Sequence, residues 1–183
     1  MAVSSTTTAR RWPGSTRCRP APHRSAVPVN TIASDTSLIR LGDEFRSLVR
    51  YTREQITEFA RLSGDANPVH HDRQAAERAS FGEIIASGQQ TASQMMGAVA
   101  SRFSQRDDGV PREMLCLNFN FAFKAPIFAE QDVHLIWKVS KIEASPRLGG
   151  YIGHLDGQAC VAGRACVVVR GTILVKQAAS RLM

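Results

Sequence analysis

The spacing of apolar residues predicts helices in the first half of the chain. In the segment YTREQITEFARLSG, apolar side chains recur at the spacing of one helical face. Thr52 and Gln55 match a capping box at its start, and Gly64 is typical of a helix end. The preceding segment, DEFRSLVRY, is compatible with a strand.

Two further helices are predicted after a polar loop at residues 65–71. Asp72 is positioned to cap the short segment RQAAERA. The longest helix is predicted at about residues 89–103, and it is rich in alanine, glycine and serine. Small side chains allow close backbone approach, as in a helix wrapped by a sheet, although an ordinary buried helix fits the same pattern.

The C-terminal part is predicted to form an antiparallel meander. Apolar and polar residues alternate at about 117–123, and three more strand-like segments follow: QDVHLIWKVSKIEA, GGYIGHLDGQACV and ACVVVRGTILVK. A strand, a group of helices and then a meander predict an α+β fold, in which one sheet can wrap one long helix.

Most of the positive charge lies in the first part of the chain. The formal net charge is +7, and five arginines with no acid precede Ser34, which leaves +2 for the rest. The folded part is therefore nearly balanced, and no nucleic-acid partner is predicted. A hydrophobic fraction of 43% is enough to build one buried core.

Residues 1–37 are predicted to be a disordered basic extension, and residues 1–34 are predicted to be dispensable for folding and catalysis. They are rich in Ser, Thr, Arg and Pro and lack an apolar period. The composition resembles an organellar transit peptide, while an unstructured extension or a misplaced start codon is the favoured alternative. No apolar run is long enough for a membrane span. We therefore expect no membrane partner and a cytoplasmic location, or an organellar matrix in a eukaryote.

The four cysteines show no CxxC spacing. Cys160 and Cys166 flank a predicted hairpin turn, VAGRA, so they are expected to face each other across two strands. Reduced thiols are expected, as is usual in a cytosolic protein.

The polar loop LSGDANPVHHD holds the candidate chemistry. One interpretation is a loop that caps the next helix, and another is an acid–base site. A metal site from His70, His71 and Asp72 is disfavoured, because adjacent side chains rarely converge on one ion. No metal is therefore predicted.

The chain resembles the MaoC-like, (R)-specific enoyl-CoA hydratase family, also called hydratase 2. The resemblance rests on SGDANPVH at residues 63–70 and IASG at residues 85–88, with weaker similarity over about 42–175. It implies a hot-dog fold, a curved antiparallel sheet around a long helix, in a homodimer with active sites near the subunit interface. The domain is assigned to residues 38–176, followed by a tail at 177–183. The implied substrate is an acyl-CoA or acyl-carrier-protein thioester, with no cofactor.

The resemblance assigns catalysis to four residues. Asp65 and His70 lie five residues apart on a loop stiffened by proline, and a carboxylate and an imidazole form a common acid–base pair near neutral pH. Asn67 is implied to orient the attacking water. Gly88, at the predicted start of the long helix, is expected to hold the thioester oxygen with its backbone N–H.

Four other residues are weaker candidates for substrate binding. Ser87 borders the expected acyl site, at a position where many family members have histidine. Many members also have glycine where Glu130 stands here. Lys124, Lys138 and Arg147 are candidates for the phosphates of coenzyme A.

The predicted function is hydration of a 2-enoyl thioester or dehydration of a 3-hydroxyacyl thioester. The first alternative is a hot-dog thioesterase, for which Glu83 is the nearest acidic candidate. The second is a non-catalytic subunit that binds acyl-CoA and keeps the fold. The intact set of Asp65, Asn67, His70 and Gly88 argues against this second alternative.

Overall fold

The predicted α+β fold is confirmed by a computed structural model, which describes residues 17–18, 38–105 and 107–178. Outside two short 3-10 turns, Pro68–His70 and Pro146–Leu148, the elements are β1 (Glu44–Arg50), α1 (Arg53–Ser63), α2 (Arg73–Arg78), α3 (Gly88–Ser104), β2 (Arg112–Phe123), β3 (Asp132–Ser145), β4 (Gly150–Val161) and β5 (Arg164–Gln177). Strand β5 extends one residue past the predicted domain boundary. The predicted disordered extension at residues 1–37 and the predicted tail at residues 177–183 lie mostly outside the described ranges.

The five strands form one antiparallel sheet in the order β1-β3-β4-β5-β2. The predicted meander is therefore limited to β3, β4 and β5, since β2 crosses over to pair with β5 at the sheet edge. The pairing register shifts between Cys116 and Asn118, between Val139 and Lys141, and between Ala159 and Cys160. Bulges of this kind bend a strand and increase its twist. The sheet and its single long helix have the hot-dog architecture that the resemblance implied.

Helix α3 packs one face against the sheet. Its inward side chains Met95, Val99 and Phe103 are fully buried, and Trp137 of β3 is fully buried in the same core. Burial of each such side chain contributes about 1.5–3 kcal/mol. Gly157 makes room for Trp137, because a Cβ there would lie 2.5 Å from the indole ring. Among the described residues, no helix is long and apolar enough to cross a membrane.

Local capping places the polar loop between α1 and α2. The Thr52 and Gln55 capping box is present, and Gly64 ends α1 with a φ of 74°. Asp72 accepts hydrogen bonds from the backbone N–H groups of Gln74 and Ala75. These predictions are confirmed, and residues 65–71 are therefore held at both ends.

The cysteine prediction is wrong. Cys160 forms a disulfide with Cys18, while Cys116 and Cys166 are free. Cys160 pairs with Ala165 because of the register shift in the β4–β5 hairpin, so it does not face Cys166. The N-terminal segment reaches the hairpin at Cys18, whose N–H donates to the Gly163 carbonyl at 2.8 Å. Strand pairing alone does not reveal a partner 142 residues away.

This cross-link changes the expected effect of truncation, because removing residues 1–34 also removes the disulfide. We expect Cys18→Ser to lower the free energy of unfolding by about 2–4 kcal/mol under oxidising conditions. Cys116→Ser, at an exposed free thiol, is the matched control and should change it little. Denaturant unfolding with and without reductant measures both. Equal stability of Cys18→Ser and the unsubstituted protein without reductant would contradict the link.

Candidate active site

Backbone hydrogen bonds shape the loop that holds Asp65. The Asp65 N–H donates to the Ala60 carbonyl at 2.9 Å, and the Asn67 N–H donates to Asp65 Oδ1 at 3.1 Å. The Asn67 side chain accepts from the Val69 N–H at 3.4 Å and so caps the turn that carries His70. Asn67 is exposed, and its implied role in orienting water remains a prediction.

His70 is buried and held in one orientation. Its Nδ1 lies 2.7 Å from the Ile85 carbonyl oxygen. A carbonyl can only accept, so Nδ1 carries a proton and donates it. The other ring nitrogen, Nε2, lies 3.5 Å from Asp65 Oδ2. The Ile85 carbonyl therefore fixes the tautomer that turns Nε2 toward the carboxylate.

The gap between Asp65 and His70 suits one bridging water. When the imidazole is neutral, its Nε2 and the Asp65 carboxylate both accept hydrogen bonds. A separation of 3.5 Å is also longer than an ordinary N–H···O hydrogen bond. A water that donates one proton to each group satisfies both acceptors and leaves its oxygen lone pairs free. The two side chains can therefore share one water and accept a proton from it.

Gly88 is the first residue of α3, as predicted to within one residue. Ser87 is the N-cap, and its side chain accepts from the Gln90 N–H at 3.2 Å. Among the described residues the Gly88 N–H has no hydrogen-bond acceptor. It lies at the positive end of the helix dipole, where negative charge is favoured.

One cavity of about 410 Å³ contains both His70 and Gly88. Ser87, Thr91 and Lys124 also line it, together with the mainly apolar side chains of Phe81, Ile85, Ala86, Phe123, Ala125, Pro126, Ile127 and Val167. The cavity therefore combines the His70 imidazole, a free backbone donor and an apolar wall, whereas Asp65 does not line it and lies 3.5 Å from His70. Such a site can hold an apolar chain whose reactive end lies between His70 and Gly88.

Two of the predicted phosphate-binding residues do not line this cavity. Lys138 pairs with Glu44 and Asp156 across the sheet, and strand alternation places it opposite the core residues Trp137 and Val139. Arg147 follows the C-terminal end of β3, a strand of 14 residues that spans roughly 43 Å at about 3.3 Å per residue, whereas the cavity residues Pro126 and Ile127 precede its first residue. Within one chain, only Ser87 and Lys124 of the four candidates reach the cavity.

The polar residues after His70 do not assemble a metal site. His71 is exposed, whereas His70 points into the core and Asp72 caps α2. Within residues 17–18, 38–105 and 107–178, no three potential ligand side chains are grouped to hold an ion.

Glu83, the candidate acid of the thioesterase alternative, is held by Arg53. The guanidinium donates to both carboxylate oxygens, at 3.1 and 2.5 Å, and this lowers the pKa of Glu83. The Ile84 N–H also donates to it at 2.8 Å. Glu83 is therefore held as an anion in an ion pair with Arg53.

Glu130 lies in a turn with a φ of 64°. This backbone conformation favours glycine, which explains why glycine suits the position.

Sequence reasoning missed Phe123, Thr91 and Tyr51. The Phe123 ring lies against Gly88, and a Cβ on Gly88 would be 2.9 Å from its Cζ. Phe123 is an apolar residue at the end of a strand, and nothing in the sequence around it predicts this contact. Thr91 lies one helical turn after Gly88, so its spacing does place it on the same face. Tyr51 is buried behind Thr91, and no sequence motif marks it.

Solved structures share this fold at low sequence identity. The (R)-hydratase from A. caviae involved in PHA biosynthesis is 23% identical, with a TM-score of 0.63 over 78% of this chain and 100% of that one. R-Hydratase PhaJ1 from Pseudomonas aeruginosa is 22% identical, with a TM-score of 0.64 over 76% and 84%. The HadBC (3R-hydroxyacyl-ACP dehydratase) complex from Mycobacterium tuberculosis is 18% identical, with a TM-score of 0.61 over 76% of this chain and 98% of that one.

A comparison with curated proteins finds no match. Residues 38–148 match the family model described as the MaoC like domain. This match spans more than half of the chain and includes Asp65, His70 and Gly88. The protein therefore belongs to the MaoC-like domain family.

Proposed function

We propose that this protein is an (R)-specific enoyl-thioester hydratase, or equally a 3-hydroxyacyl-thioester dehydratase. The observation that carries the proposal is the Asp65–His70 pair, 3.5 Å apart, beside a cavity that also contains the free N–H of Gly88. Family membership and a fold shared with (R)-hydratases support it. Thermodynamics, rather than the enzyme, sets the direction in the cell.

The water held by Asp65 and His70 is the nucleophile. As its oxygen bonds to C3 of the enoyl thioester, the pair accepts one of its protons. The pair then delivers a proton to C2, so that one water is added in total. Dehydration is the same sequence in reverse. General acid–base catalysis of this kind typically contributes about 10²–10⁴ in rate.

The thioester oxygen becomes negative as C3 is attacked. The Gly88 N–H, at the start of α3, donates to that oxygen and stabilises the enolate-like transition state. Because the donor is fixed by the helix and capped at Ser87, little reorganisation accompanies the charge.

The substrate is a thioester of coenzyme A or of an acyl carrier protein. Both carry a phosphate at the end of a pantetheine arm, and Lys124, which lines the cavity, is the candidate to pair with it. The dehydratase HadBC is named for an acyl-carrier-protein substrate, so both carriers should be compared.

The test is incubation with crotonyl-, octenoyl- and branched enoyl-CoA. We expect loss of absorbance of the conjugated thioester, with no release of free coenzyme A thiol. Thiol release that keeps pace with absorbance loss would establish the thioesterase alternative. Binding of the thioesters without turnover would establish a non-catalytic acyl-CoA-binding subunit.

The proposal includes a homodimer formed through β2. This strand is one edge of the sheet, and its side chains Leu115, Leu117 and Phe123 are each about half exposed. The other edge, β1, is shorter and carries Glu44, Arg46 and Arg50, which discourage edge pairing. A second copy of β2 covers the open edge, and Phe123 places that interface beside the cavity.

We expect a dimeric mass in light scattering at micromolar concentration. Leu115→Lys should produce a monomer, because it places a charge on the open edge. Leu148→Lys is the matched control, since Leu148 is similarly exposed but lies in the β3–β4 connection. A monomeric mass for the unsubstituted protein, or equal effects of the two substitutions, would contradict the β2 interface.

A further inference from the structure

The first turn of α3 is polar where the rest of its buried face is apolar. Gln90 and Thr91 are both almost fully buried, whereas the next inward residues along the helix are Met95, Val99 and Phe103. Thr91 lines the cavity one turn beyond Gly88.

Tyr51 lies behind Thr91. The Tyr51 side chain is buried, and this burial raises the pKa of its phenol, while the neighbouring Thr91 side chain partly opposes the rise. The phenol is therefore protonated near neutral pH and able to donate. Thr91 is close, yet no hydrogen bond of standard geometry is formed.

This cluster contains polar atoms without partners. Within the described part of the chain, neither the Tyr51 hydroxyl nor Gln90 Oε1 has a hydrogen-bond partner, although Gln90 Nε2 donates to the Gln55 carbonyl at 3.4 Å. Buried polar groups without partners are rare and costly, so each calls for a physical reason. Neither Tyr51 nor Gln90 lines the cavity of His70 and Gly88, so Thr91 is the residue that can connect the Tyr51 hydroxyl with a ligand there.

We infer that Thr91, backed by Tyr51, selects acyl chains that carry a neutral hydroxyl or ketone oxygen a few carbons beyond the double bond. This inference rests on the proposed function. The Thr91 hydroxyl can accept from the Tyr51 phenol while donating to an acceptor in the cavity. Thr91 thus becomes the middle of a chain of two hydrogen bonds that ends on the substrate.

The position of the oxygen follows from the helix. Thr91 is three residues after Gly88, which is about 4.5 Å along the helix axis. That distance is about four bonds of an extended chain. With the thioester oxygen on the Gly88 N–H, an oxygen near C5 of the acyl group faces Thr91. A carboxylate is disfavoured there, because a buried charge needs a partner of opposite charge. Lys124 is the one lysine or arginine among the described lining residues, and it is assigned to the phosphate of the substrate.

The test compares binding of 5-hydroxyhexanoyl-CoA and hexanoyl-CoA by calorimetry. Both are saturated, so neither can be hydrated. We expect the unsubstituted protein to bind the hydroxylated thioester about fivefold more tightly, within the range for one neutral hydrogen bond. Thr91→Val should remove this preference, Thr91→Ser should keep it, and Tyr51→Phe should reduce it.

Equal binding of the two thioesters by the unsubstituted protein would overturn the inference. A preference that survives both Thr91→Val and Tyr51→Phe would overturn it as well, because the selecting group would then lie elsewhere. Hydration of crotonyl-CoA is measured in parallel. Its absence overturns the proposed function, whereas hydration without a preference for the hydroxylated chain overturns only this inference. Failure of both thioesters to bind overturns both.

Discussion

Asp65→Asn and His70→Ala are each expected to lower turnover of crotonyl-CoA by about 10² or more. Asparagine keeps an oxygen for the Asn67 N–H but loses the charge and basicity of Asp65. Removing His70 deletes the second acceptor of the bridging water. The double variant should be little worse than either single one, because the two groups act on the same water.

Stability measurements separate chemistry from folding in this experiment. Asp72→Asn is the matched control, since it makes the same chemical change in a residue that caps α2, and asparagine also caps helices. His70→Ala leaves the Ile85 carbonyl without its donor, so His70→Asn serves as a second variant that retains a side-chain N–H. Near-normal turnover in Asp65→Asn with an intact fold would return this loop to a capping role.

The Gly88 N–H is expected to contribute about 10²–10³ in turnover, as single oxyanion donors do. Gly88→Pro removes this N–H and still suits the first position of a helix. Ser87 has φ −67° and ψ 150°, which is compatible with a following proline. The added carbon atoms would contact the Phe123 ring, so the substitution is made in a Phe123→Ala background.

Gly88→Ala in the same background is the matched control. It adds a Cβ but keeps the N–H, so the two variants differ in that donor and in the rest of the proline ring. We expect the proline variant to be slower by at least about 10². Equal turnover of the two, with equal melting temperatures, would show that Gly88 is not the donor to the thioester oxygen.

The sequence predicts well the features that depend on neighbouring residues. The Thr52–Gln55 capping box, the Gly64 helix end and the Asp72 cap each involve groups within a few residues, and all are confirmed. Strand alternation likewise predicted the four C-terminal strands, but only β3, β4 and β5 form the expected meander, because β2 pairs with β5 and not with β3. The ordered motif around Asp65 and His70 predicted a loop that the structure places beside the start of α3.

Features that depend on distant parts of the chain were not predictable in this way. The Cys18–Cys160 link joins segments 142 residues apart. Charge alone suggested Lys138 and Arg147 as phosphate ligands; neither lines the cavity, and their role stays a prediction. The contact of Phe123 with Gly88 arises from the pairing of β2 with β5, which no local pattern reports.

The central claim is that Asp65 and His70 act on one water from one face of the enoyl thioester. Hydration of crotonyl-CoA in D₂O, with the configuration at C2 and C3 of the product determined by NMR and chiral analysis, tests it most directly. We expect syn addition, with the oxygen and the deuterium on the same face, and an (R)-3-hydroxybutyryl product. Anti addition, an (S) product or an absence of hydration would contradict it.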